Sequence, residues 1–405
     1  MTDTHLPRGS HVRLGTLEGN LRTEPNCQID VDGRLVVPGE VRFEGHTDVG
    51  GDLECRSFRS EDGTVRVRGD LTVAEDVRGD DATLEIGGSL KARDVDVDRG
   101  LRVAGPIHGE SFEVGGILDG GSTLDGTNVS VGGKFRLAGK LTARDVEAGG
   151  SIDVADVDLD SLEAGGLVRI RGGSVRKSID VGGRFVAEGT IEYGSLDAGG
   201  LAELRGGGKG GSIDVGGFFK VHGDLAFTSL EVGGVGSITG NGRGDKVEVG
   251  GKFDVGGGLS LTGEIVVGGF LSVADELSAD HLDLGGRVTA RRAILRTRAT
   301  IGGGVDTQEG MKSPRIVLRR KSRASGPLVG GVVELEEKAR ADDIYGDSVE
   351  LRDKAVARRI FAATVRIHEG AAASEVYFTQ SAEVSPGTTV ASPPKKVDQL
   401  PSFPL

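Results

Sequence analysis

Apolar residues recur along this chain at a nearly constant interval, and each of them is followed by two glycines. Between residues 114 and 301, successive members of this series, the marker positions, keep the fixed period of an internal repeat and lie about 17 residues apart. They are Val114, Val131, Ala148, Ala164, Val181, Ala198, Val215, Val232, Val249, Val267, Leu284 and Ile301. An interval kept through this many repetitions is typical of a repeat protein in which every repeat is one structural unit.

Within one repeat, the apolar positions form three pairs. The repeat that starts at Val181 has apolar residues at offsets 0, 4, 6, 10, 12 and 15, and the repeat that starts at Val215 has the same offsets. Taken cyclically, each pair is spaced i, i+2, which is the inward face of a short strand. Three such strands per repeat, stacked in parallel on the next repeat, predict an all-β fold. We expect a single long three-sided parallel β-helix of about 22 coils of about 17 residues.

The series continues on both sides of this region. It passes downstream through Leu318, Leu335, Leu351, Ile367 and Val384, and upstream through Ile86, Val67, Val49, Val31 and Leu14. We therefore predict a flexible N-terminal segment over residues 1–11 and the β-helix over residues 12–384. Residues 385–405 are rich in proline, which cannot donate to a ladder, and they predict a disordered tail.

Two local features refine this prediction. The interval from Ile86 to Val97 is 11 residues, about one strand short of a repeat. Because a closed coil cannot lose a side, we expect the pattern to shift by one face near residues 86–97. The paired glycines after each marker predict sharp corners, because glycine adopts positive φ without steric cost.

Composition and charge narrow the class of protein. The chain has 70 glycines but only 11 prolines, which is typical of a repetitive β structure and not of collagen. Its net charge of −13 argues against nucleic-acid binding. An acidic residue usually precedes the marker and points outward, which we interpret as a solvated acidic face.

The first residues lack the apolar stretch of a secretory signal, and no apolar run is long enough to span a membrane, so we expect a cytoplasmic protein.

One basic segment interrupts the acidic pattern between residues 287 and 323. It contains the candidate interaction residues Arg291, Arg292, Arg296, Arg298, Arg315, Arg319, Arg320, Lys321 and Arg323. Residues one repeat apart stack on neighbouring coils, so Arg298 and Arg315 should be neighbours that both point outward. This basic band is a candidate surface for an acidic partner or an anionic membrane. Phe403 and Leu405 in the proline-rich tail are further candidates for docking.

The residues that carry enzymatic chemistry form no recognisable constellation. Hexapeptide-type acyltransferases are the enzymatic alternative, but they need a strict six-residue repeat and a catalytic histidine in a subunit cleft. The repeat of this chain is not a multiple of six, and its histidines are scattered. We therefore expect no enzymatic activity, no cofactor and no metal site.

The opening of the repeat region carries a resemblance to a known family. The stretch "VRLGTLEGNLRTEPNCQIDVDGRLVVPGEVRFEGHTDVGGDLECRSF" (residues 12–58) is similar in its glycine cadence to the start of the bactofilin array. The repeated "VGGxFxVxGxL" units resemble the family more loosely. Bactofilins are polymer-forming cytoskeletal proteins of bacteria, with relatives in archaea.

The resemblance implies assembly without nucleotide, by end-to-end stacking of terminal coils, into filaments that support cell shape, often at the membrane. The partners would be a second copy or a related filament protein. The candidate polymer-end residues are Val12, Leu14, Leu17, Val376, Phe378 and Val384. A monomeric rod that acts as an adaptor or as a surface adhesin-type spacer is the alternative.

Overall fold

Parallel strand pairing follows the interval of the apolar positions. The computed structural model describes residues 3–402, and in this part of the chain it is an all-β parallel solenoid of about 23 turns, called coils below. Its contacts divide it into two compact units. The first comprises the residues up to Gly200 and Leu204–Gly206, and the second comprises Leu201–Glu203 and the residues from Gly207 onward.

The strands of the first unit are short on most faces, and the longer ones bend around a corner. They are β1 Thr4–Leu6, β2 His11–Thr16, β3 Leu21–Thr23, β4 Cys27–Glu44, β5 Thr47–Val49, β6 Asp52–Val67, β7 Leu71–Val73, β8 Asp76–Ile86, β9 Leu90–Lys91, β10 Asp94–Val97, β11 Gly100–Val103, β12 Ile107–His108, β13 Ser111–Val114, β14 Ile117–Gly120, β15 Leu124–Asp125, β16 Asn128–Val131, β17 Lys134–Thr142, β18 Asp145–Ala148, β19 Ser151–Ala164, β20 Leu167–Val181, β21 Arg184–Ala187 and β22 Ile191–Ala198.

The next strand, β23 Leu201–Leu204, contributes residues to both units. The strands of the second unit are β24 Gly208–Val215, β25 Phe218–Val221, β26 Leu225–Ala226, β27 Ser229–Val232, β28 Val235–Ile238, β29 Gly242–Gly244, β30 Lys246–Val249, β31 Lys252–Val255, β32 Leu259–Leu261, β33 Glu264–Val267, β34 Phe270–Leu284, β35 Arg287–Ile301, β36 Gly304–Leu318, β37 Arg323–Ser325, β38 Leu328–Leu335, β39 Arg340–Leu351, β40 Val356–Ile367, β41 Ala372–Val384, β42 Thr389–Val390 and β43 Lys395–Lys396.

In the first unit, each regular coil contributes a strand segment to each of three parallel ladders, and in β19 and β20 one continuous strand makes all three segments. The coil made by β13, β14 and β15 pairs with β16 and β17 of the next coil, so Val114 lies beside Val131 and Leu118 beside Phe135. These four side chains are almost completely buried. Burial of one such side chain stabilises the fold by about 1.5–3 kcal/mol, but only because a neighbouring coil covers it.

The marker positions move from one face to the next near residue 86. Ile86 pairs with Val103, whereas Val97 pairs with Gly79. The upstream and downstream markers therefore lie on neighbouring faces of the first unit, which is the arrangement that the shortened interval predicts.

The register at the start of the array differs from the sequence expectation at two markers. Val49 pairs with Ile29, and Ile29 pairs with Val12, so these residues form the inward column. Leu14 and Val31 pair with each other, but both are only half-buried. The spacing alone misplaced these markers, because the coil between Ile29 and Val49 is longer than the regular repeat. Ile29 and Val31 are both apolar, so their residue types did not distinguish the inward position.

The ladder also begins before Val12. Strand β1, over Thr4–Leu6, pairs in parallel with β3, and Leu6 is buried. The predicted flexible segment over residues 1–11 is thus corrected: Thr4–Leu6 is a ladder strand. Polar residues hid it, because only Leu6 of this strand is apolar.

In the second unit, the markers form one inward column on what we call the marker face. The marker residues from Val215 to Ile367 are each at most 1% exposed. Each pairs with the next, and the last pairing joins Ile367 to Val384. The ladder follows the predicted register throughout this face.

The C-terminal residues extend the solenoid beyond Val384. Strand β42 pairs with Ala372 and Ala373, and strand β43 pairs with Tyr377 and Phe378. The predicted disordered tail over residues 385–405 is therefore corrected for these two segments. Prolines flank them without lying inside them, so proline does not interrupt either short ladder.

The glycine pairs serve a different purpose from the one expected. Neither glycine of the pair Gly132-Gly133 has a positive φ. Instead, successive corners pass very close to each other: a Cβ at Gly133 would lie 2.4 Å from the carbonyl oxygen of Gly116, and one at Gly150 would lie 2.3 Å from that of Gly133. Glycine is needed here because the backbones stack without room for a side chain.

We therefore expect Gly133→Ala to destabilise the fold by about 1–3 kcal/mol, because the new methyl group meets backbone that cannot rotate away. Gly15→Ala is the matched control, since a Cβ at Gly15 meets no atom within 4 Å. The urea midpoint, followed by far-UV circular dichroism, measures both. Equal midpoints for the two variants would contradict the close-approach explanation.

Candidate interaction surfaces

The arginine-rich band is distributed around the coils of the second unit and does not form one face. Arg298 and Arg315 are the exception: they pair in register on the marker face, and both are exposed. Arg291 and Arg292 lie at one corner, and Arg296 lies at the next. The structure thus confirms the predicted stacking of Arg298 on Arg315 and separates these two residues from the corner arginines.

Acidic residues of neighbouring coils neutralise much of the band. Arg291 donates to Glu309 at 2.6 Å, and Arg292 is paired with Glu276. Arg296 is paired with Asp280 and also donates to the carbonyl oxygen of Leu261 at 2.8 Å. Such exposed pairs contribute little stability each, but they reduce the positive field that a distant partner would meet.

The remaining predicted residues lie at the following corner and at the start of the next face. Arg319 is 3.7 Å from Asp283, and Arg320 is 3.1 Å from Glu337. Lys321 is exposed and has a φ of 63°. Arg323 is exposed and pairs in register with the exposed Arg340, so two arginines lie on adjacent coils of one face. The candidates Phe403 and Leu405 lie outside the described residues.

The predicted polymer-end residues differ in their exposure. Val12, Leu14 and Leu17 are half-buried. Val376 is buried beneath the tail strands, and Phe378 is half-buried. Val384 is 40% exposed, although Ile367 below it is fully buried.

A surface that sequence reasoning missed lies on another face of the second unit, which we call the groove face. The outward residues Tyr345, Phe361 and Tyr377 pair in register on successive coils. Their rings stack with centroids 4.9 and 5.0 Å apart and with interplanar angles of 14° and 6°. We call these three residues the aromatic ladder. Their equal spacing in the sequence, close to one coil, is the signal that could have revealed it.

The aromatic ladder is anchored by polar contacts at its last member. Tyr377 donates a hydrogen bond to Glu375 at 3.0 Å, which raises the pKa of Tyr377. The Nζ atom of Lys395 lies 6.0 Å from the centroid of the same ring. A cation at this distance from an aromatic face is attracted by it, so the tail strand β43 is held over the end of the ladder.

A groove of about 520 Å³ opens beside the aromatic ladder. Apolar side chains and bare backbone form much of its wall. Its lining residues are Ile294, Leu295, Arg296, Lys312, Ser313, Pro314, Val329, Gly330, Gly331, Tyr345, Gly346, Asp347, Phe361, Leu400 and Pro401. Two residues of the C-terminal tail thus line the same cavity as five successive coils.

Beside the aromatic ladder, Asp343 forms a compact ionic cluster. Its side chain is 7% exposed and accepts hydrogen bonds from Arg358 at 2.8 and 3.1 Å and from Arg359 at 2.9 Å. The hydrogen bond from Arg359 lowers the pKa of Asp343, and this effect outweighs burial, which acts in the opposite direction. The Arg-Arg pair lies one coil after Asp343 in the sequence, which is what brings the three side chains together.

In the first unit, a second groove of about 550 Å³ is bordered by charged residues. Glu85 accepts from Arg66 at 2.6 Å and from Arg102 at 2.9 Å, and the hydrogen bond from Arg66 is the main cause of the lowered pKa of Glu85. Arg68 donates to Asp48 at 3.0 Å. These arginines are therefore engaged with acidic residues of the adjacent coils.

The described part of the chain contains no group of three His, Cys, Asp or Glu side chains arranged to hold a metal ion. Over residues 3–402, no helix is long and apolar enough to cross a membrane. Comparisons with protein-family models, with curated proteins and with solved structures give no match to this chain.

Removal of the Asp343 charge should destabilise the second unit. We expect Asp343→Asn to cost about 1–3 kcal/mol near neutral pH, because two arginines lose a charged acceptor. The folded pKa lies below the unfolded value, so this stabilisation is present above the unfolded pKa of about 3.9 and is lost as the pH falls through the folded pKa.

Urea midpoints of the wild type and Asp343→Asn, measured from neutral to acid pH, test this prediction. The two midpoints should converge at low pH. Asp353→Asn, at a side chain that is 55% exposed, should leave the midpoint unchanged. A difference between wild type and Asp343→Asn that persists undiminished in acid would show that the carboxylate charge is not responsible.

Proposed function

We propose that this protein is a structural scaffold, not an enzyme, which forms or joins bactofilin-like filaments by end-to-end stacking of coils without nucleotide. The β-solenoid fold is compatible with a structural scaffold. The resemblance of residues 12–58 to the bactofilin array supports the finer statement. The proposed setting is the cytoplasm, and the proposed role is support of cell shape.

The observation that carries the proposal is the apolar column at the last coil. Ile367 is fully buried, whereas Val384, which stacks on it, is 40% exposed. Among the described residues, no strand pairs with the outer edge of Ser381–Val384. An unpaired strand edge beside an open apolar column is a template for another coil.

The first coil offers a matching edge. Within residues 3–402, β1 pairs only with β3, and β2 pairs only with β4. Val12 is half-buried, whereas Ile29 beside it is fully buried. In the proposed contact, the first coil of one copy continues the parallel ladder of the last coil of another copy.

The proposed partners are therefore a second copy or a related filament protein. The outward arginines Arg298 and Arg323 are proposed to contact an acidic partner or a membrane surface, because they lie outside the ion pairs that neutralise Arg291, Arg292 and Arg315. The net charge of −13 supports the exclusion of nucleic acid as a partner.

Filament formation can be tested by a charge placed in the proposed contact. Purified wild-type protein should form filaments without nucleotide, visible by negative-stain electron microscopy. Val384→Glu should lower the sedimentable fraction roughly tenfold or more, because an unpaired charge would be buried between two coils.

The matched control is Val356→Glu, at an outward position that is 38% exposed and lies two coils before the last. It should leave the sedimentable fraction unchanged. If the wild type remains monomeric at every concentration, the filament proposal is wrong. A role as an adaptor or spacer would then explain the fold better.

A further inference from the structure

The groove face of the second unit carries apolar side chains where a solenoid ordinarily presents polar ones. Val329, Tyr345, Phe361 and Tyr377 occupy outward positions on successive coils, because Val329 pairs with Tyr345 and the aromatic ladder follows. All four are half-buried although they point away from the core. An apolar column of this kind on an outward face is a surface that another segment can cover.

The C-terminal tail provides the cover. Lys395 pairs with Tyr377, and the backbone N–H of Val397 donates to the carbonyl oxygen of Phe378 at 2.8 Å. Leu400 and Pro401 then line the groove together with Tyr345 and Phe361. The tail thus leaves the last coil and runs back over earlier coils of the same face.

The length of the tail agrees with this path. Tyr345 lies two coils before Tyr377, which corresponds to about 10 Å at the usual strand spacing. The stretch from Lys395 to Leu400 spans at most about 17 Å when extended. Leu400 reaches the groove within the same chain without any rearrangement of the ladder.

We propose that the groove is a docking site for a leucine-proline peptide, and that its occupant is the chain's own C-terminal segment, bound in cis. Leu400 supplies an apolar side chain for a wall formed by Val329 and Tyr345. Pro401 restricts the backbone, which lowers the entropy lost on docking. Strand β43 holds the peptide beside its site, so its effective concentration is high.

Docking in cis has a consequence for the surface of the protein. While the segment is bound, it covers Val329, Tyr345 and Phe361. When it leaves, a continuous apolar strip becomes accessible, and the same peptide of a second copy could occupy it. The groove is thereby a site whose access the chain controls with its own tail, independently of the filament contact at Val384.

A dye on the tail would measure docking in the full-length chain. Ser402→Cys supplies the attachment point, because the native thiols are protected: Cys27 is 3% exposed and Cys55 is 6% exposed. Burial also raises the pKa of the Cys55 thiol to about 12, so that thiol stays protonated and unreactive near neutral pH. The observable is the time-resolved anisotropy of the dye.

The dye should rotate slowly with the protein while the tail is docked. Leu400→Asp should shift the docked-to-free ratio by about tenfold or more, because it places a charge against an apolar wall. Gln399→Asp adds the same charge at an exposed neighbour and should leave the anisotropy unchanged.

The wall of the groove allows an independent test. Val329→Glu should release the tail as Leu400→Asp does. Val332→Glu is the matched control, because Val332 belongs to the same strand, is 40% exposed and does not line the groove. Far-UV circular dichroism of each variant establishes that the solenoid remains folded.

Three outcomes decide the proposal. Slow rotation in the wild type and in both control variants, with fast rotation in Leu400→Asp and Val329→Glu, supports docking in cis. Fast rotation in the wild type overturns the docking site. Slow rotation that appears only as the protein concentration rises overturns binding in cis and assigns the groove to the tail of a second copy.

Discussion

Every coil of this protein depends on the backbone ladder that joins it to its neighbours. A single coil of short strands encloses too little apolar surface to exclude water, so its inward residues become buried only when another coil lies on each side. The parallel pairing fixes the separation of successive coils at about 4.8 Å. That separation then decides which side chains can be accommodated at each corner, on each face and at each end.

The corners show how strict this condition is. At Gly133 and Gly150, the backbone of one coil passes so close to the previous coil that a methyl group would overlap a carbonyl oxygen. The glycines are therefore required by the contact between coils. Neither Gly133 nor Gly150 has a positive φ, so the conformational freedom of glycine is not used at these corners.

The same spacing organises charge on the outer surface. Many ionic contacts join residues one coil apart, as in Arg66 with Glu85, Arg291 with Glu309, and Arg359 with Asp343. A segment that is basic in sequence is consequently paired with acidic residues from the coils before and after it. The aromatic ladder obeys the same rule with stacked rings in place of ion pairs, and the tail covers it where the coils end.

The sequence by itself determined the repeat, the three strands per coil, the inward columns and the step between Ile86 and Val97. These features follow from the period of apolar residues, which every coil repeats and which burial enforces. Only the tertiary structure decided that Ile29 replaces Val31 in the column, that the tail adds strands β42 and β43, that the corner arginines are neutralised and that Leu400 enters a groove. Those features depend on which atoms of neighbouring coils come into contact. The order of apolar and polar residues along the chain does not specify the distances between those atoms.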